Sequence, residues 1–106
     1  MKYNKLVRDN IPDIIRAKGE VPVTKKLKPA EYKKALLKKL QEEAAEVADA
    51  KTTLRLVDEL ADVEEVLAAL RRAYNIERAS VSAARRAKRK KRGGFSNRTF
   101  LLATKS

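Results

Sequence analysis

Four carboxylates near the middle of the chain have the types and spacing to do chemistry. Glu43 and Glu46 stand three residues apart, and Glu59 and Asp62 repeat that interval after a short break. On a helix, residues three apart share a face. Two such pairs facing each other would gather hard oxygen ligands, a set that favours Mg²⁺ or Mn²⁺ over zinc or copper. The chain holds no His and no Cys. That removes the usual general base, the serine triad, thiol nucleophiles, disulfide scaffolds and most transition-metal sites.

The surrounding charge frames these acids. Over 106 residues, 26 Lys and Arg face 14 Asp and Glu, a formal net charge of +12. Between Glu42 and Glu65 nine acids meet two bases, a local −7 that leaves +19 on the rest. Residues 85–92 read RRAKRKKR, seven bases in eight positions. An acidic centre in a basic shell suits a site that binds metal and anion together, and solvated helix faces would carry the same residue types. No apolar run approaches a membrane span, and MKYNKLVRDN lacks a signal-peptide core. The expectation is a single cytoplasmic domain over residues 1–106.

The elements that must position the acids are helical. Asn10 is placed to cap a short first helix, with Pro12 in its first turn and Gly19 at its end. Val21-Pro22-Val23 reads as extended. Pro29 opens a long helix to about Ala50, with Leu36, Leu37, Leu40, Ala44 and Val47 at helical spacing. Lys51-Thr52-Thr53 interrupts it, either threonine being able to cap the next helix. That helix runs to about Tyr74, with Leu56, Leu60, Val63, Leu67 and Leu70 as its stripe and Asn75 as its stop. A fourth helix, about Arg78 to Arg92, ends at Gly93-Gly94. The tail brings Phe95, Phe100, Leu101 and Leu102, enough apolar surface to dock as an extended arm. The fold class is all-α, a helical bundle around an antiparallel hairpin.

Helical phase puts Glu43 inside the apolar arc of the second helix and Glu46 at its edge, with Glu42 and Asp49 toward solvent. On the third helix Glu59 falls inside the arc and Asp62 at its margin, while Asp58 and Glu65 point away. A pivot between Thr52 and Thr53 sets Glu46 level with Glu59 and Glu43 level with Asp62. Four carboxylates in a partly apolar groove repel one another, and a divalent cation removes the conflict.

EEAAE at Glu42 to Glu46, twelve residues, then ELAD at Glu59 to Asp62 resembles the ExxE…ExxD signature of MazG-type all-α nucleoside triphosphate pyrophosphohydrolases. YNKLVRDNIPDII (Tyr3 to Ile15) and KRGGF (Lys91 to Phe95) resemble a small single-domain branch of that superfamily. The members of this branch are house-cleaning NTP pyrophosphatases or phosphoribosyl-ATP pyrophosphohydrolase-like. The resemblance implies an oligomeric helical bundle, a homodimer or larger. It also implies Mg²⁺-dependent hydrolysis of a standard or modified triphosphate between its α and β phosphates. Carried across, the metal ligands and catalytic residues are Glu43, Glu46, Glu59 and Asp62.

Cations must hold the polyphosphate. Lys5 and Arg8 in the opening motif, and Lys91 and Arg92 before the glycine pair, are the candidates, with Gly93-Gly94 amides able to approach phosphate closely. Tyr3, Tyr32 and Tyr74 are candidates for base stacking or for boundary packing. Phosphoribosyl-ATP pyrophosphohydrolase is an alternative, but Asp62 is followed by VEEVLAAL in place of the aromatic-His pair expected there. The basic run at 85–92 is more basic than the branch suggests. It opens a third reading, a helical nucleic-acid- or polyanion-binding module whose acids are structural.

Overall fold

A computed structural model describes residues 3–106. The described residues form four α-helices and no strand: α1 (Ile11–Ala17), α2 (Pro29–Asp49), α3 (Thr53–Ala73) and α4 (Arg78–Arg92). The chain divides into two compact units, one ending at Asn75 and one running from Ile76 to Ser106. Among the described residues no helix is long and apolar enough to cross a membrane.

The local signals act where expected, with two differences in detail. At α3 it is Thr52 that caps, its hydroxyl accepting from the Arg55 N–H at 3.1 Å, which satisfies one of the orphan donors of the first turn. Asn10 occupies the α1 cap position, but its side chain makes no cap bond; its carbonyl accepts from Ile14 N–H at 3.1 Å. Pro29 occupies the first turn of α2, and Glu31 reaches back to accept from Lys28 N–H at 3.1 Å. Asn75 stops α3 with φ +55, a left-handed conformation that asparagine tolerates.

The first unit is organised by α2 and α3, which pack on each other and are joined by only Ala50, Lys51 and Thr52. Leu36 at 3% exposure and Val66 form the buried apolar centre. The α3 stripe packs along one edge only: Val63 and Leu70 are half-buried beside the buried Glu59 and Val66, while Leu56, Leu60 and Leu67 are exposed. A single neighbouring helix covers only part of so wide an arc. The face carrying Leu56, Leu60 and Leu67 is left to water in the isolated chain.

The second unit is α4 and its tail. The helix ends at Gly93, whose φ of +81 suits glycine and turns the chain sharply. Here the expected docked arm does not form: Phe95, Phe100, Leu101 and Leu102 are all exposed. The helix RASVSAARRAKRKKR supplies only alanines, two serines and one valine between its charges, so its own unit offers no broad apolar surface to receive them.

Candidate metal centre

The acidic site is built where α2 and α3 face each other. Ligand oxygens of Glu43, Glu59 and Asp62 all lie within 4.8 Å of one another. Glu43 and Asp62 are half-buried, and Glu59 is buried at 8% exposure. Three residues from two helices therefore converge, one of them at a position where a leucine would satisfy the packing. Glu46 lies outside this trio and is exposed, one turn beyond Glu43. It is still near enough for its charge to act on Glu59.

Electrostatics at the site follow from that placement. Burial pushes the Glu59 carboxyl above the ordinary carboxylate range. The Arg55 guanidinium pulls it back, and the charges of Glu46, Asp62 and Glu43 push it up again. Each acid of the trio has its own counter-ion. Lys39 Nζ lies 3.4 Å from Glu43, Arg55 Nη2 3.3 Å from Glu59, and Arg8 Nη2 2.5 Å from Asp62. Lys39 and Arg55 each sit four residues before their acids, a helical spacing legible in the sequence but not used in choosing the site. The Arg8 pair joins the opening segment to α3 across 54 residues, which no local pattern encodes.

The remaining residues singled out from the sequence fall in several places. Arg8 meets the acidic trio directly. Lys5 sits in the same opening segment, its ammonium 5.6 Å from the Tyr3 ring centroid, and makes no ion pair with the trio. Tyr74 receives Lys33 over its ring at 4.9 Å, and Tyr32 is half-buried, both as boundary packing. Lys91 and Arg92 close the last turn of α4 in the second unit, exposed. Asp58 and Glu65 point to solvent.

The donor set fits a hard divalent cation. It offers only carboxylate oxygens, close enough to share one ion, in surroundings partly shielded from water. Chemically, such a trio can hold a cation against a polyphosphate, and the neighbouring guanidinium of Arg8 can take a phosphate oxygen pair.

Comparison with known proteins adds one relative. A stretch of 48 residues, 45% of this chain, is 52% identical to an uncharacterized protein of Mycolicibacterium smegmatis. The match takes in 49% of that protein, so the chain spans about half the length of the curated relative it matches. No protein-family model matches the chain, and no solved structure matches it.

Proposed function

We propose that the chain is a Mg²⁺-dependent nucleoside triphosphate pyrophosphohydrolase of MazG type. It would cut between the α and β phosphates to release a nucleoside monophosphate and pyrophosphate. The observation that carries this reading is the convergence of Glu43, Glu59 and Asp62 oxygens within 4.8 Å. In it, α2 and α3 form an antiparallel hairpin, and the exposed α3 stripe of Leu56, Leu60 and Leu67 meets a second copy, completing the bundle. Such an edge, left to water beside the packed part of the same arc, argues for that cover.

In this reading Glu43, Glu59 and Asp62 hold the cation, and Glu46 either completes the oxygen set or takes the proton of the attacking water. A bound Mg²⁺ or Mn²⁺ supplies charge neutralisation of the polyphosphate and lowers the pKa of a nearby water. Arg8, paired with Asp62 beside the trio, is the guanidinium that would fork onto a phosphate. Lys5, in the same unit, is the further candidate for polyphosphate oxygens. Water adds to the α-phosphorus, the bond to the bridging oxygen breaks, and pyrophosphate leaves. None of these steps requires His or Cys.

The test is pyrophosphate release from a panel of triphosphates with Mg²⁺, Mn²⁺ or chelator, for wild type beside Glu43→Gln and Glu59→Gln. Metal-dependent pyrophosphate with its matching monophosphate, lost in both variants, supports the reading. Release that ignores metal or survives both substitutions removes it.

A further inference from the structure

The second unit carries a surface that pyrophosphohydrolysis does not use. From Ile76 to Ser106 it holds ten bases against one acid, Glu77. Every base of α4 is exposed, and no ion pair engages any of them among the described residues. At 100° per residue Arg78, Arg85, Lys88, Arg89 and Arg92 fall on one side of the helix, a ridge of about 21 Å at 1.5 Å per residue. The rest of the circumference holds the small Ala79, Ser80, Ala83, Ala84 and Ala87, with Arg86, Lys90 and Lys91 among them. Eight like charges on fifteen residues weaken the helix at i,i+4 spacing. Their arrangement therefore costs stability in the free chain, and an opposing polyanion relieves that cost.

Beyond the ridge the chain makes a hollow of about 460 Å³, lined by Arg92, Gly93, Gly94, Phe95, Asn97 and Arg98, with Ser96 and Thr99 beside them. Phe95 is 98% exposed, and Phe100, five residues on, 84% exposed. Two guanidinium groups, an amide and a bare aromatic face suit a phosphate, a base edge and a base plane. A cationic track ending in exposed aromatics is the combination by which proteins hold single-stranded nucleic acid.

We infer that α4 and its tail bind single-stranded nucleic acid, with the Arg78–Arg92 ridge on the phosphate backbone and a base stacked on Phe95 in the hollow. An anionic membrane is the competing partner for a basic helix, but an interfacial helix buries bulky apolar residues opposite its charges. Here that face is alanine, serine and three further bases, with no bulky apolar residue. A duplex would engage the ridge and leave the aromatic rings without a free base.

The test is fluorescence anisotropy of the full chain with labelled dT20 and rU20, a 20-base-pair duplex, and phosphatidylglycerol vesicles, over about 50 to 300 mM salt. The expected order is single strand over duplex over vesicle. Loss of about 0.7 in log-log salt slope per single-strand phosphate contact gives roughly −3.5 for the five ridge bases. Arg85→Ala/Lys88→Ala/Arg89→Ala should flatten that slope by about 2. Phe95→Ala should weaken dT20 binding roughly tenfold and leave the slope unchanged. A control variant, Lys25→Gln/Lys26→Gln/Lys34→Gln, removes the same charge from exposed positions of the first unit and should change neither readout. Circular dichroism checks that each variant keeps its helices. Any of three results overturns the inference: tighter binding to vesicles than to dT20, equal weakening by the control variant, or no binding at about 50 mM salt. Unchanged dT20 affinity in Phe95→Ala overturns the stacked-base geometry.

Discussion

The two units of this chain treat charge in opposite ways. In the first, the acids that matter sit on the packed side of α2 and α3, and burial together with like-charge neighbours pushes Glu59 up. In the second, the bases of α4 stand in water on a helix that packs little of itself. Charge placed where a fold must desolvate it is set against stability and demands a small, close counter-ion. Charge ranged along an exposed ridge demands a large, extended one. The lesson is that position relative to the packed face, more than number of charges, separates a metal-type site from a polyanion surface.

The sharpest way to break this contrast is at Glu59. Glu59→Gln keeps the shape and removes the buried charge, so turnover should fall by about 10²-fold or more while the melting temperature holds or rises. Retained turnover would reduce Glu59 to a packing residue and dissolve the difference between the units. Next in size is the response to metal. A ligand held only by the folded state at about 100 times its Kd contributes roughly 2.7 kcal/mol. For a domain of this size that raises the melting temperature on the order of 10 °C. Differential scanning calorimetry with Mg²⁺ and with chelator should show that rise in wild type and lose most of it in Glu43→Gln.

Much of this was legible in the residues and some was not. Helix existence followed from apolar spacing and from Thr52, Pro29, Asn75 and Gly93, each acting by a local rule that needs no partner. Glu43 and Glu59 were marked because each interrupts an apolar arc, and the structure brings their oxygens together with those of Asp62. The exposure of Leu56, Leu60 and Leu67 was not legible, because helical phase tells which residues share a side but not how much of a wide apolar arc a neighbour covers. The tie from Arg8 to Asp62 was equally hidden: 54 residues separate them, and only the packed chain sets the distance. The undocked tail has the same origin, for its apolar residues say nothing about whether a receiving face exists.

Arg8 gives an effect of intermediate size that sharpens the contrast from the first unit's side. Its pair with Asp62 is more than a third exposed at both ends, so Arg8→Ala should lower stability by about 0.5 kcal/mol at most after solvent screening. If Arg8 moves to phosphate in the loaded site, KM for the triphosphate should rise roughly tenfold, with Arg8→Lys between the two. A stability loss without a KM change would make the pair a structural tie alone. The pH dependence is smaller still and has a definite sign. A carboxyl raised in the folded state favours its protonated form, so its contribution is fully present below the ordinary carboxylate range. That contribution is lost as pH rises through the raised value. The melting-temperature gap between Glu59→Gln and wild type should therefore be narrow in acid and widen toward neutral pH, and Mg²⁺ should close it. A gap constant with pH would show that the amide acts through shape and not through charge.

The smallest expected effect lies in α4, and it tests the contrast from its other side. Arg85→Ala/Lys88→Ala/Arg89→Ala touches only exposed side chains of the second unit, so pyrophosphate release should stay within about twofold and the melting temperature nearly unchanged. The helix itself should strengthen slightly. Arg85 and Arg89, like Lys88 and Arg92, are same-sign neighbours at i,i+4, each pair costing about 0.2–0.5 kcal/mol, and alanine is the better helix former. Circular dichroism at low salt should show a small gain in helicity, and salt added to wild type should mimic it by screening. Helicity that falls in the variant would mean that those bases hold α4 together. A gain is the outcome expected if the proposed polyanion contact, and not the stability of α4, accounts for that repulsion.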